Sequence, residues 1–152
     1  MPAKRPKLVG INHVALEVGD IGEALDFYGQ WFDFELRGRG EGSAFLDMGD
    51  QFLALMEVEE ITPDNHRHFG LVVDDREGLR ARMEAAGITF VSEKRFDFLD
   101  PWGNRVEVVA YPDIQFLKAR EVLDSAGYEG LRKSEEALEE LREKGIDPPA
   151  DA

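Results

Sequence analysis

The chain has 152 residues with 18 Lys plus Arg against 32 Asp plus Glu, a net charge of −14 that repels phosphate backbones and argues against a nucleic-acid partner. It contains no cysteine, which removes disulfide frameworks, thiolate zinc sites and cysteine nucleophiles together and suits a reducing compartment. No apolar run approaches membrane-spanning length, so a globular protein in the cytoplasm, with no membrane partner, is expected.

The N-terminal stretch MPAKRPKLVG is basic but lacks the apolar segment of a signal peptide, and Lys4-Arg5-Pro6-Lys7 reads as a solvated arm. A first module runs from about 8 to 58. It opens with the strand-like HVALEVGD (13–20) and continues into a helix in which Asp20 and Glu23 form a capping box. Ala24, Leu25, Phe27, Tyr28, Trp31 and Phe32 recur on that helix at the spacing of one face. Three strands follow, the last two as a hairpin in AFLDMGDQFLALMEV (44–58), turning at Met48-Gly49-Asp50.

EEITPDN (59–65), with Pro63, is a linker. A second module, about 66–111, repeats the order. HFGLVVDD (68–75) aligns with HVALEVGD at an offset of 55, and Asp75 caps a helix bearing Leu79, Met83 and Ala86 with Gly87 as its stop. GITFV reads as the next strand. DFLDPWGNRVEVVAY (97–111) answers 44–58, with Phe98-Leu99-Asp100 matching Phe45-Leu46-Asp47. Strand, helix and three strands, twice over, make an α+β chain of two tandem βαβββ modules within a domain of residues 1–111. Residues 112–152 form a helical C-terminal extension: DIQFLKAREVLDSAG reads as one amphipathic helix, and SEEALEELREKG as another, between Ser134 and Gly145.

The chain has three histidines, His13, His66 and His68. A lone strand histidine is usually structural, but His13 and His68 hold equivalent places in a repeated unit. His66, two residues before His68, is a solvated strand start or the one histidine left for acid–base work. Glu107 stands among Val106, Val108 and Val109, where a carboxylate is costly unless paired or metal-bound. His13, His68 and Glu107 together suit one divalent ion, and Fe, Mn, Ni, Co and Zn all accept such nitrogen and oxygen donors.

The repeated module, the two histidine-to-acid segments and FLDPWGNRVEVV resemble the vicinal oxygen chelate superfamily, which includes glyoxalase I, bleomycin-resistance proteins, fosfomycin-resistance thiol transferases and extradiol dioxygenases. The resemblance covers about residues 8–111. It implies a cup-shaped mixed sheet built from paired modules, a metal held by His13, His68 and Glu107, and a small oxygenated substrate chelated through two oxygens. It also implies a homodimer in which His13 of one chain shares an ion with His68 and Glu107 of the other. Glyoxalase I carries a further carboxylate ligand at the place that is Leu53 or Ala54 here, depending on the alignment, with Glu57 nearby. A three-ligand set of this kind is similar to that of extradiol dioxygenases, so oxygenation of a catechol-like or enediol-like substrate is the expected chemistry. A bleomycin-resistance-type binding protein without catalysis and a glyoxalase-like lyase are the alternatives. Phe27, Tyr28, Phe45, Phe52, Phe96 and Trp102 are the candidate apolar lining, and Lys94 and Arg95 candidate anion contacts.

Overall fold

The fold was analysed as a computed structural model that describes residues 11–49, 51–128 and 130–152. The expected start of the first module at residue 8, the basic arm and Asp50 of the first turn lie outside the described residues.

The first module comprises β1 (His13–Val18), α1 (Ile21–Trp31), β2 (Glu35–Gly40), β3 (Ser43–Asp47) and β4 (Phe52–Glu57). Its sheet has the order β1-β4-β3-β2, with β1 and β4 parallel. α1 starts where the sequence predicts, with the Asp20 side chain accepting from the Glu23 N–H at 2.7 Å. Leu16 and Val18 alternate into a core shared with Ala24 and Tyr28 of α1 and with Ala44, Leu46, Leu53 and Leu55 of the sheet. His13, Ala15 and Glu17 therefore point to the opposite, open face.

The second module comprises β5 (Phe69–Val73), α2 (Arg76–Ala85), β6 (Asp97–Leu99) and β7 (Arg105–Ala110), in the sheet order β5-β7-β6. α2 is capped by Asp75, as expected, and buries Leu79 and Met83, whereas Ala86 is its exposed C-cap. The expected strand at GITFV is reduced to one isolated bridge, Phe90 to Phe98. Phe90 instead packs edge-on against Phe96, with ring centroids 5.1 Å apart, and the segment is held by ring packing more than by a ladder.

The hairpins of the two copies are out of step by one residue. The segment between paired Asp47 and Phe52 is Met48–Gln51, whereas that between paired Leu99 and Arg105 is Asp100–Asn104, one residue longer. Phe45 pairs with Ala54, and Asp97, not Phe98, pairs with Glu107. The matching Phe-Leu-Asp triplets thus sit one position apart in register, which turns them to opposite faces: Leu46 is buried in one copy and Phe98 in the other. Asp100 goes inward, is 4% exposed, and accepts from the Tyr28 hydroxyl at 2.9 Å. It also accepts from the N–H groups of Trp102 and Asn104 and from the Asn104 side chain. The Asn104 amide reaches on to the Glu17 carbonyl, so one turn of the second module is bonded to both α1 and β1. Phe27, Phe32 and Trp31 of α1 pack against the second core of Leu71, Leu79, Met83, Phe96, Phe98, Val106 and Val108. The linker follows this turn closely: a methyl at Gly103, which has φ +83°, would stand 2.5 Å from Pro63 Cβ.

The C-terminal extension departs from expectation at its start. Residues 113–127 do not form one helix. A 3-10 turn at Tyr111–Asp113 is followed by irregular chain and then by a short α3 (Arg120–Ser125). α4 (Glu135–Glu143) matches the second expected helix: Ser134 caps it, Ala137 and Leu141 are buried, and Gly145 follows with φ +76°. Lys133 docks this end, its ammonium donating to the carbonyls of Tyr111 and Ile114 and lying 3.6 Å from the Tyr111 ring centroid. No helix of the described residues is long and apolar enough to cross a membrane.

Candidate metal centre

β1 carries His13 and β7 carries Glu107, each on the open face of its sheet, and His68 stands just before the start of β5. Within the second module, Gly70 of β5 pairs with Glu107 of β7. His68 lies just before β5, two residues from Gly70, and so comes to the same side. The His68 Nε2 and Glu107 Oε2 atoms are 3.6 Å apart, with the side chains 37% and 26% exposed. That spacing is longer than a hydrogen bond. Two donors bound at about 2.1 Å to one ion stand roughly 3.0–3.4 Å apart, so the pair needs to close by only a few tenths of an ångström to share a cation.

The second nitrogen of each imidazole is already engaged. His68 Nδ1 lies 2.9 Å from the His66 carbonyl oxygen. A carbonyl can only accept, so Nδ1 carries a proton, and Nε2 is the nitrogen that faces Glu107. His13 repeats this, with Nδ1 2.9 Å from the Asn12 Oδ1. An oxygen acceptor on the non-ligating N–H is the support that metal-bound histidines use to fix tautomer and ring direction. The donor set therefore fits a divalent ion chemically. His66 is exposed and contributes its backbone carbonyl; the structure gives its ring no contact with the other candidates.

The three residues do not converge within one chain. Among the described residues no group of three His, Cys, Asp or Glu side chains is close enough to hold an ion. His13 stacks instead on Phe52, with ring centroids 4.7 Å apart and an interplanar angle of 11°. Within one chain, then, His68 and Glu107 stand together and His13 stands apart.

Register also decides between Leu53 and Ala54. His13 and His68 are equivalent, so Ala15 corresponds to Gly70. The partner of Gly70 is Glu107 and that of Ala15 is Ala54. Ala54 therefore occupies the place of Glu107 in the first module, on the open face, and brings no ligand. Glu57 is employed elsewhere, accepting from the Ile21 N–H at the start of α1 at 3.1 Å.

Of the six aromatic candidates, Phe45 and Phe52 lie on the open face of the first module. Tyr28 and Phe96 are wholly buried, and Phe27 packs between the two cores. Trp102 packs on the first core, over Gly19. Lys94 and Arg95 are exposed. Two residues near the candidate ligands escaped sequence reasoning. Asp97, opposite Glu107, is 1% exposed, accepts from Arg105 Nε at 2.9 Å, and has one oxygen without a hydrogen-bond partner. Its signal was an acid set between Phe96 and Phe98. Arg37, whose guanidinium lies 4.6 Å from the Phe52 ring centroid, had no sequence signal, because a strand bulge sets its direction.

Residues 10–108 match the family model described as Glyoxalase/Bleomycin resistance protein/Dioxygenase superfamily. A curated relative, the metallothiol transferase FosB of Bacillus licheniformis, is 26% identical over 116 residues, covering 67% of this chain and 75% of that protein. Among solved structures, a glyoxalase family protein from Bacillus anthracis has a TM-score of 0.59 at 23% identity, over 70% of this chain and 98% of its own. A lactoylglutathione lyase from Agrobacterium tumefaciens has a TM-score of 0.56 at 25% identity, over 69% and 96% respectively.

Proposed function

The chain belongs to the glyoxalase/bleomycin resistance protein/dioxygenase superfamily, and from that premise we propose that it is a divalent-metal-dependent enzyme acting on a small oxygenated organic molecule. One observation carries the reading: His13 and His68, at equivalent positions of the two modules, each have Nδ1 held by an oxygen acceptor, and His68 faces Glu107 across 3.6 Å. His68 and Glu107 would supply two ligands and His13 the third. Since no three such side chains gather within one chain among the described residues, the third comes from a second copy, and the working unit is a homodimer in the cytoplasm. Residues 1–111 form the metal-binding domain, and 112–152 an extension outside it.

When bound, such an ion keeps positions open for two substrate oxygens and stabilises developing oxyanion charge as a Lewis acid. The chain's own share is to orient the two imidazoles, to hold Glu107 beside His68 and to offer Phe45, Phe52 and Ala15 as an apolar surface beside His13. Relatives named as a transferase and a lyase favour Lewis-acid chemistry over the oxygenation expected from the ligand set alone. Ala54 in place of a fourth ligand argues against glyoxalase isomerisation. Elemental analysis after reconstitution with Mn(II), Co(II), Ni(II), Zn(II) or Fe(II) should find one ion per chain, with binding lost in H13A, H68A and E107A. A wild-type chain that binds none of these ions would end the proposal. Oxygen uptake by the Fe(II) form with catechols would restore the dioxygenase reading. The apolar open face favours a second reading, sequestration without catalysis, and ligand binding that survives chelator treatment would support it.

A further inference from the structure

The open face of the first module carries a cation that the metal site does not use. Arg37 lies at a bulge in β2: Leu36 pairs with Leu46, Gly38 pairs with Phe45, and Arg37 is the extra residue between them. A bulge sets two residues against one and re-aims a side chain. Gly38 shares the face of Phe45 and brings no side chain of its own. The Arg37 guanidinium is thereby free to lie across the sheet, 4.6 Å from the Phe52 ring centroid. His13 reaches the same ring from the β1 side, and Arg37 from the β2 side. One aromatic ring therefore joins the candidate metal ligand to a fixed cation.

The guanidinium is only partly engaged. Nη2 donates to the Gly49 carbonyl at 3.0 Å and meets the Asp47 carboxylate at 3.5 Å, with both side chains more than a third exposed. Such a pair is weak in water. Among the described residues, Arg37 Nε and Nη1 make no hydrogen bond, so N–H groups on two sides of the guanidinium are open to a carboxylate or phosphoryl group. Holding the guanidinium still, by the ring on its face and the carbonyl at its tip, lowers the ordering cost of binding. The surrounding chain has a net charge of −14, so a fixed guanidinium beside the site is where an anionic substrate gains most.

We propose that Arg37 is an anion-recognition residue: the substrate carries, apart from its metal-chelating oxygens, a carboxylate or phosphoryl group that the unbonded N–H groups of Arg37 receive. The placement beside a metal rests on the function proposed above, but the anion contact itself does not.

The test uses the full chain, first metal-free and then loaded with Co(II). Methylphosphonate and propionate are the anionic probes, and dimethyl methylphosphonate is the neutral control. Binding is followed by calorimetry and by the Arg37 Nε–H resonance. Methylphosphonate should shift that resonance in the metal-free protein, and R37Q should weaken its binding about tenfold or more, as loss of charge-assisted hydrogen bonds requires. R37K, which keeps the charge and loses the fork, should fall between, and the neutral ester should bind both forms equally. A difference between the two anionic probes would identify the preferred group. Equal binding of methylphosphonate to wild type and R37Q, or shifts confined to Lys94 and Arg95, would overturn the proposal. If the anion binds at Arg37 while no metal binds, the metal reading falls and this one stands. If Co(II) binds and the anion ignores Arg37, the reverse holds.

Discussion

Replacing Tyr28 by Phe removes one oxygen and leaves the ring. The hydroxyl is buried and donates to Asp100 at 2.9 Å, joining α1 of the first module to the hairpin turn of the second. Hydrogen bonds to charged groups contribute about 1.5–3 kcal/mol. Asp100 keeps its donors from Trp102 and Asn104, so the carboxylate is not orphaned, and a loss near the lower end, about 1.5–2 kcal/mol, is expected. For a chain of this size each kcal/mol moves Tm by about 2–4 °C, giving a fall of roughly 3–8 °C. Thermal unfolding by circular dichroism at pH 7, with the Y28F, D100A and double variants in one cycle, measures it. The double variant should cost clearly less than the two single losses added together. A Y28F Tm within about 1 °C of wild type, or strict additivity, would refute the idea that this bond ties the modules together. The alkaline limb gives a second readout. Burial, reinforced by the Asp100 charge and hydrogen bond, holds the Tyr28 hydroxyl far above its ordinary 10.0. The unfolded chain then releases a proton that the folded chain keeps, so stability falls as pH rises above about 10. Y28F lacks this fall, and its deficit relative to wild type should shrink there.

Mixing H13A chains with H68A chains tests the shared centre. A heterodimer of this kind retains one intact set of His13, His68 and Glu107 only if the set spans two chains, so the mixture should regain up to a quarter of the metal sites; a site built within one chain regains none. Lys133 gives a pH signature in the extension. Burial pushes its ammonium down to about 8, against some support from Asp113. The folded chain therefore sheds this proton before the unfolded one does, and stability should rise from about pH 8 towards 10.5 as the cost of burying the charge disappears. K133M should flatten that rise in urea unfolding midpoints taken across the window.

The repeat, the caps at Asp20, Asp75 and Ser134 and the helical faces were legible because each rests on local chemistry: a side-chain oxygen three residues before an N–H, or apolar residues every third or fourth position. The histidines were legible because the repeat made them equivalent. The strand at GITFV was not, since Phe90 satisfies its packing through Phe96 and so needs no ladder. Nor was the break in the first helix of the extension, where Lys118 leaves a helical path to reach the Met48 carbonyl. Val122 sits so near Gly49 that a methyl there would stand 2.5 Å from it. Long-range contacts chose the backbone at both places. Composition also could not separate Phe52 from Phe96. Both are aromatic residues in apolar runs, and only register puts one on the open face and the other in the core. Arg37 is the extreme case, because a bulge is a misfit between two strands and leaves no mark on either alone.

The extra residue in the second hairpin turn has a consequence for how a duplicated module specialises. In each copy the turn aspartate performs the same local task with one oxygen, accepting an N–H two residues on, from Gly49 to Asp47 at 2.8 Å and from Trp102 to Asp100 at 2.9 Å. Beyond that task the two carboxylates differ, and the length of the turn decides which way each one looks. The shorter loop leaves Asp47 outward, where the same Oδ1 meets Arg37 at 3.5 Å; the longer one turns Asp100 inward, where Oδ2 accepts from Tyr28. One residue of turn length is enough to divide the labour between twins, leaving one carboxylate on the open face and the other locked into the join between the modules, with no change in the residue itself.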